Sequence, residues 1–248
     1  MREINSCEDL QACCGNDMLC MWAAQGLDGY SYAWASEDRR AVAIAGPALS
    51  SRDRLAVWGA SDAAVPLVRR VLAKVGPTYR PLGDSALIDA LVHGIPTLNH
   101  VGSFGWMDCT SPAGCSVPGP SRAEWLPETT LPEVETLVEA SFPASYAKPG
   151  VPGVERWAGV RDDGGRLAAV GALAWSAPTV GFLAGIAVQP QTRSQGLGRQ
   201  VCNFLLAEAL RLHGAAALMV NDWNHAALRL YLGMGLRYRP LRAASVST

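Results

Sequence analysis

The segment GIAVQPQTRSQGLGRQ, residues 185–200, contains the residue types needed to bind an anion. A predicted apolar strand runs into this segment, and a predicted helix leaves it. Gly196 and Gly198 have no side chains, so backbone N–H groups at the start of the helix can approach an oxyanion closely. The helix dipole adds partial positive charge, and Arg193 and Arg199 can neutralise the remaining negative charge. These features predict a binding site for a pyrophosphate group.

Comparison with two known nucleotide-binding motifs excludes both of them for this segment. A Walker A loop requires G-x4-G-K-[ST], and the segment contains no lysine. A dinucleotide-binding G-x-G-x-x-G loop requires a third glycine, but the sequence continues Arg199-Gln200-Val201. What remains is R-x-x-G-x-G after an apolar strand that contains Gly181 and Gly185. Glycine inside a strand indicates a bulge or the close approach of a ligand. The alternative is a glycine-containing turn that binds nothing.

A second motif, NDWNHAALRLYLGMGL, occupies residues 221–236. It follows a predicted buried strand and opens a predicted helix, where the side-chain oxygen of Asn224 can cap the first turn. Tyr231 lies seven residues further on, about two helical turns away and near the same face. A phenol at that position can protonate a departing thiolate. The alternatives are a packed core aromatic at Tyr231 and a purely structural cap at Asn224.

Together the two motifs resemble those of the GNAT superfamily of acyl-CoA-dependent N-acyltransferases. Arg193, Gly196 and Gly198 match the family's [Q/R]-x-x-G-x-[G/A] acyl-CoA loop. The family's N-x-x-A-x-x-L-Y-x-x-x-G-[F/L] signature is matched at Asn224, Ala227, Leu230, Tyr231, Gly235 and Leu236. The motifs occur in the family's order and spacing, and the resemblance covers about residues 122–248.

The resemblance implies the GNAT fold, an α/β fold with a mixed sheet, in which two central parallel strands separate around the pantetheine of acyl-CoA. A neutral amine would attack the thioester carbonyl directly, a strand bulge near Gly185 would donate an N–H to the developing oxyanion, and Tyr231 would be the general acid. The implied acyl-CoA-binding residues are Ile186, Ala187, Val188, Arg193, Ser194, Gln195, Gly196, Leu197, Gly198, Arg199, Asn224, Ala227 and Tyr231.

The sequence leaves the general base open. The ammonium form of the acceptor, with a pKa of about 10, must lose a proton before it can attack, often through water to a carboxylate or a histidine. Glu155, Asp222 and His225 are the candidates, and we place Asp222 and Glu155 beside Tyr231 as predicted catalytic residues. Each of these three side chains could instead be a solvated surface group. The implied function is transfer of an acetyl group from acetyl-CoA to a primary amine of a small molecule in a ternary complex. The alternative is a non-catalytic acyl-CoA-binding sensor or interaction protein on the same fold.

The chain divides near its middle. Residues 110–121, TSPAGCSVPGPS, are rich in proline and glycine and predict a linker, which gives domains at residues 1–119 and 120–248. The second half predicts the element order β-α-β-β-β-α-β-α-β. The first half also alternates strands and helices but has no R-x-x-G-x-G, so it resembles the degenerate first domain of tandem or glycine N-acyltransferase-like members. We expect it to shape the acceptor pocket and to bind no second CoA.

Composition excludes several other classes. The 248 residues carry 21 basic and 22 acidic side chains, a net charge of −1, whereas a nucleic-acid platform usually has a basic surplus. No apolar run approaches the ~20 residues of a membrane helix, and no signal peptide is evident, so we expect a cytoplasmic protein without a membrane partner and leave open a homodimer. The cysteine spacing at residues 7–20 matches no paired zinc pattern, so we expect no metal, and we expect Cys109 and Cys115 to be free thiols.

Overall fold

The structure is a computed structural model that describes residues 1–27, 29–110 and 121–247. Helices and strands alternate along these residues, which confirms the expected α/β class. The chain forms two compact units. The first contains Met1–Trp106, Val220–Asn224 and Tyr238–Thr248, and the second contains Met107–Met219 and His225–Arg237. Most of the predicted linker lies outside the described residues, so a boundary at residue 119 stays a prediction.

The first unit is built on a mostly antiparallel sheet with one parallel pair. Its elements up to residue 109 are β1 Arg2–Ile4, α1 Cys7–Cys14, α2 Met18–Ala24, β2 Tyr32–Ala35, β3 Ala41–Gly46, β4 Arg54–Gly59, α3 Ser61–Val75, β5 Arg80–Asp84, α4 Ser85–Gly94 and β6 Leu98–Cys109. The strand β12, Arg237–Val246, completes the strand order β1-β2-β3-β4-β5-β12-β6. Strands β4 and β5 are parallel, and α3 connects them.

Helix α3 illustrates why these residues fold as they do. Its apolar residues recur at i, i+3, i+4 and i+7, and the ones on this stripe, Ala64, Leu67, Val68 and Val71, are all buried. Strand β3, whose six residues are all buried, lies under the same cluster. The first unit therefore has its own hydrophobic core.

The second unit follows the order that the sequence predicts. Its elements are β7 Glu124–Trp125, α5 Leu131–Ser141, β8 Val154–Arg161, β9 Leu167–Ala174, β10 Gly181–Val188, α6 Leu197–His213, β11 Ala216–Asn221 and α7 His225–Leu232. Strands β7, β8, β9 and β10 pair antiparallel in sequence order, and β10 pairs parallel with β11. The ninth predicted element, the last strand, is β12, but it pairs with β5 of the first unit, from Leu241 opposite Asp84 to Ala243 opposite Leu82.

The cysteines correct one expectation. Cys109 is disulfide-bonded, so a free thiol at this position was a wrong prediction, and Cys115 lies outside the described residues. Sequence spacing alone cannot show that a sulfur has a partner within bonding distance. Cys13, Cys14 and Cys20 are buried free thiols on α1 and α2. Among the described residues, no group of three or more His, Cys, Asp or Glu side chains could hold a metal ion. No helix in the described part of the chain is both long and apolar enough to cross a membrane.

Candidate functional site

The parallel strands β10 and β11 separate before either of them ends. Their pairing runs from Gly181 opposite Ala216 to Leu183 opposite Leu218. Strand β10 then continues to Val188 without a further pair to β11. An unpaired strand segment carries N–H and C=O groups that need partners, so this edge can accept an extended ligand as an added strand.

A β-bulge interrupts β10 just past the point of separation. The bulge appears in the pairing of β10 with β9, where Ala184 lies opposite Ala172 and Ala187 lies opposite Val170. Two residues of β10 therefore face one residue of β9 between these pairs. The first of the two is Gly185, which has a φ of +64°. This left-handed conformation favours glycine and is the geometry of a glycine-type bulge. The predicted bulge near Gly185 and Ile186 is present.

Beyond the bulge, backbone alternation decides which groups face the open edge. The N–H of Gln189 donates to the C=O of Ala168 at 2.9 Å, so the backbone of Gln189 points towards β9. Because backbone groups alternate sides along a strand, those of Val188 point away from β9, and those of Ala187 point towards it. The resemblance implies that the backbone groups of Ile186, Ala187 and Val188 pair with the pantetheine amides. Val188 presents its backbone on the open edge, while Ala187 directs its own towards Val170.

The loop between β10 and α6 is anchored at its start and has an unusual backbone. The Gln189 side chain donates to the C=O of Leu167 at 2.8 Å, and the Thr192 hydroxyl donates to the C=O of Gln189 at 3.2 Å. Ser194 has a φ of +65° and Gly196 a φ of +78°. Left-handed residues occur in concave anion-binding turns of backbone N–H groups, which are called nests, so we treat residues 194–196 as a candidate nest.

Helix α6 begins directly after this loop with free N–H groups. The first intrahelical bond at its start is donated by Gln200 to the C=O of Gly196 at 3.1 Å, and Gly196 supplies no side-chain cap. The N–H groups of residues 197–199 therefore have no acceptor within the helix, and the helix dipole makes them attractive to an anion. A Cβ at Gly198 would lie 3.1 Å from Cγ2 of Val188, so the helix start packs closely against the end of β10.

The two predicted cationic residues differ in their surroundings. Arg193 is exposed in the loop. Arg199 is also exposed, but its Nη2 lies 3.5 Å from the position that a Cβ at Gly233 would take, just beyond the end of α7. The C-terminal end of a helix carries partial negative charge, which this guanidinium partly balances. Both arginines can contribute positive charge to an anion bound near the start of α6. Arg199 also lies close to the end of α7, whereas Arg193 is exposed in the loop.

Tyr231 lies on α7 and is buried, with an exposed fraction of 6%. Its hydroxyl makes no hydrogen bond to a described residue, yet it is not among the fully enclosed polar atoms. Burial, and secondarily the nearby Cys202 thiol, raises the pKa of Tyr231 well above its ordinary value of 10. The phenol therefore keeps its proton at neutral pH and can act as a hydrogen-bond or proton donor.

The residues before Tyr231 in the second motif occupy the predicted positions. Asn224 directly precedes α7, as a helix cap must, and its N–H donates to the C=O of Asn221 at 2.9 Å. Ala227 lies in the first turn of α7. Asp222 follows the end of β11 and is half-buried, and its Oδ1 accepts a hydrogen bond of 3.2 Å from the Tyr238 hydroxyl.

The other two candidate bases, Glu155 and His225, are more exposed to solvent than Asp222. Glu155 is exposed on β8 at a break in register between Val154 and Arg156, and its Oε1 accepts a 2.7 Å hydrogen bond from the N–H of Ser176. This carboxylate therefore braces the turn after β9. His225 is the exposed first residue of α7.

Sequence reasoning missed Tyr238 and two cavities. No local pattern links Tyr238 to Asp222, because the two residues are sixteen positions apart. A cavity of about 980 Å³ in the second unit is bounded by α5, the β8–β9 hairpin and the turn at residues 189–192, so its lining ends one residue before Arg193. In the first unit, a cavity of about 800 Å³ lies where β4 ends and α3 begins.

Comparison with known proteins agrees with this geometry. A family model described as the acetyltransferase (GNAT) family matches residues 124–236. A search of curated proteins finds no match. Among solved structures, a GCN5-related N-acetyltransferase from Kribbella flavida has a TM-score of 0.59 at 16% identity and covers 87% of this chain and 88% of its own. An acetyltransferase from the GNAT family from Colwellia psychrerythraea has a TM-score of 0.54 at 12% identity and covers 98% of each chain. At these identities the solved structures establish the fold.

Proposed function

We propose, from the match of residues 124–236 to the GNAT family of acetyltransferases, that this protein transfers an acetyl group from acetyl-CoA to a primary amine of a small molecule. The observation that carries the proposal is the continuity of two features on the second unit. The unpaired edge of β10 ends at Val188, and the uncapped start of α6 packs against that same residue through Gly198. A strand-like amide chain followed by a diphosphate is the chemistry of CoA.

The donor would bind by backbone contacts along this path. The pantetheine amides would pair with the open edge around Ile186 and Val188, as an added strand does. The diphosphate would then meet the N–H groups of residues 197–199, with charge from Arg193 and Arg199. The backbone of Ala187 is directed towards β9 and would contribute through its position in the strand.

The reaction would proceed by direct attack of the neutral amine on the thioester carbonyl. A C–N bond forms, the C–S bond breaks, and the amine nitrogen loses a proton. The bulge at Gly185 would supply an N–H to the negative charge that develops on the carbonyl oxygen, which is the kind of fixed dipole that stabilises acyl transfer. The phenol of Tyr231 would donate its hydrogen to the departing sulfur.

We assign the proton from the amine to Asp222, through water. Asp222 follows β11, the strand that separates from β10, and ligands of open α/β sheets bind at the carboxyl ends of such parallel strands. Glu155 lies on β8, two strands from β10, and its carboxylate is bonded to Ser176. His225 keeps no described contact that would orient it, so we assign it no step.

We further propose that the first half is a degenerate copy of the catalytic fold. Its elements from β1 to β6 repeat the order of β7 to β12, except that two helices follow β1 where one follows β7. The parallel strand β4 is joined to α3 by Ala60 alone. No loop is present there to form a nest, so this half would hold no second CoA.

Measurement of thiol release from acetyl-CoA with a panel of amines tests the proposed function. We expect turnover with at least one amine, and a loss of about 100-fold in kcat in Tyr231→Phe with CoA affinity within about twofold. Phenylalanine keeps the packing of this buried ring, so the variant removes the hydroxyl alone. CoA binding without turnover on any amine would favour the non-catalytic sensor instead.

A further inference from the structure

We infer that Asp222, Trp223 and Tyr238 together recognise the acceptor, and that the acceptor is a primary amine with no carboxylate next to its ammonium group. This inference rests on the proposed function and narrows it to a substrate class. All three residues belong to the first unit. Asp222 and Trp223 lie directly after the end of β11.

The Tyr238 ring is held in place by its contact with the Gly105 backbone and by a hydrogen bond to Asp222. A Cβ at Gly105 would lie only 2.3 Å from Cε2 of the Tyr238 ring and 3.2 Å from Cγ1 of Val220, so the ring lies directly on the Gly105 backbone. From there its hydroxyl donates to Oδ1 of Asp222 at 3.2 Å. Burial, and then the charge of Asp222, raises the pKa of Tyr238, so the phenol stays a donor at neutral pH. Tyr238 is therefore a positioning residue that fixes the orientation of the Asp222 carboxylate.

The fixed carboxylate keeps one oxygen available. Within the described part of the chain, only Oδ1 of Asp222 has a hydrogen-bond partner, and that partner is a neutral phenol. Asp222 makes no salt bridge to a described basic side chain, unlike Asp17 and Asp89, which pair with Arg239 and Arg242. Its Oδ2 and its negative charge are thus free to bind a cation from solution.

The neighbouring Trp223 offers the second half of a cation site. Its side chain is 72% exposed, the most exposed tryptophan in the described chain, and it packs in no described aromatic pair. An exposed indole face attracts organic cations through its quadrupole and also supplies apolar contact area. Trp223 directly follows Asp222 in the chain, and a carboxylate and an indole that both bind one ligand suit an alkylammonium ion that carries an apolar or aromatic group.

The same charge disfavours α-amino acids. In such an acceptor a carboxylate lies one carbon from the nitrogen that must approach Asp222, and the two negative charges would repel at short range. An amine of the same shape without that carboxylate avoids the repulsion. The structure thus points to arylalkyl or alkyl amines as the substrate class.

Matched acceptor pairs test this inference. We would measure thiol release with tryptamine against tryptophan and with phenethylamine against phenylalanine, because each pair differs only in the carboxylate. We expect kcat/KM to be at least about tenfold higher for the amine of each pair. Asp222→Asn also removes the proposed base, so we expect turnover to fall for every acceptor. The preference within each pair should nevertheless fall to within about threefold, because the repelling charge is gone.

Variants of the positioning residue separate recognition from stability. Tyr238→Phe removes one charge-assisted hydrogen bond, so we expect KM for tryptamine to rise about three- to tenfold with a smaller change in kcat. Gly105→Ala displaces the ring and should shift KM in the same direction. Tyr30→Phe is the matched control, because this tyrosine is 77% exposed and should leave both constants unchanged.

The outcomes distinguish this inference from the proposed function. Turnover in which tryptophan equals or exceeds tryptamine, or in which Tyr238→Phe leaves KM unchanged, overturns the inference while the acetyltransferase assignment stands. Absence of thiol release with every amine and amino acid overturns both.

Discussion

Substitution of Gly196 by alanine should separate the stability of helix α6 from its capacity to bind a diphosphate. Gly196 precedes the helix with a φ of +78°, and Gly214 follows it with a φ of +79°. At both positions a Cβ would meet no atom within 4 Å. The two glycines thus share the same strained conformation and the same open space, and they differ only in the end of the helix that they occupy.

The expected loss of stability is the same for both variants. A left-handed alanine is less favourable than a left-handed glycine by about 1–2 kcal/mol, and the reduced freedom of the unfolded chain offsets about 0.4–1 kcal/mol of this. The net effect is about 1 kcal/mol, which lowers the melting temperature by about 2–4 °C in a chain of this length. Thermal unfolding of Gly196→Ala and Gly214→Ala measures this directly.

The expected effect on CoA binding differs. Partial relaxation of φ in Gly196→Ala would reorient the N–H groups at the start of α6, and each charge-assisted hydrogen bond to a bound diphosphate is worth about 1.5–3 kcal/mol. We expect the Kd for CoA, measured by calorimetry, to rise about tenfold or more in this variant and by less than about twofold in Gly214→Ala. Equal CoA affinity in the two variants would refute the assignment of the nest.

Three further substitutions test other parts of the site. Gly185→Ala should lower the free energy of unfolding in urea by about 2–4 kcal/mol, because its φ is +64° and a Cβ would lie 2.7 Å from Cη2 of Trp157. Arg193→Ala should raise the Kd for CoA about three- to tenfold and weaken its dependence on salt, measured at two ionic strengths. Burial raises the pKa of the Cys202 thiol from an ordinary 9.0 to about 12, so the folded chain holds this proton more tightly than the unfolded chain. The contribution of this thiol to the free energy of unfolding should therefore be fully present below pH 9 and be lost as the pH rises towards 12. Urea unfolding of Cys202→Ala should show a smaller decline in the free energy of unfolding over the same pH range.

Local sequence patterns were sufficient to predict those parts of the candidate site that are formed by a single short segment of the chain. The run of apolar residues before Gln189 predicts β10, and the glycine within it predicts the bulge, because only a glycine readily adopts the left-handed conformation there. The R-x-x-G-x-G spacing predicts an uncapped helix start, since Gly196 offers no side chain to cap it. These features depend on neighbours within a few residues, so the sequence contains their cause.

Contacts between distant segments were beyond the same reasoning. Nothing near Leu241 indicates that β12 pairs with β5, more than 150 residues earlier in the chain. The hydrogen bond from Tyr238 to Asp222 depends on Gly105, which only the folded sheet brings beneath the ring. The two candidate carboxylates also look alike in sequence, yet Glu155 binds a backbone N–H and Asp222 binds a phenol. Their different roles follow from partners that pairing of remote strands supplies.

The connection between a parallel strand and the next helix explains why two halves with one element order would differ in function. In the second half, residues 189–196 separate β10 from α6, which leaves room for anchors at Gln189 and Thr192 and for two residues with left-handed φ, Ser194 and Gly196. In the first half, Ala60 alone joins β4 to α3, and the N–H groups of both Ala63 and Ala64 already bond to its C=O. Asp62 lies in that first turn, and its carboxylate pairs with the Arg40 guanidinium at 2.7 Å. A connection of one residue leaves no chain from which to build a nest, whereas residues 189–196 do. We therefore expect the length of this connection, rather than the fold, to distinguish the half that we propose to bind CoA.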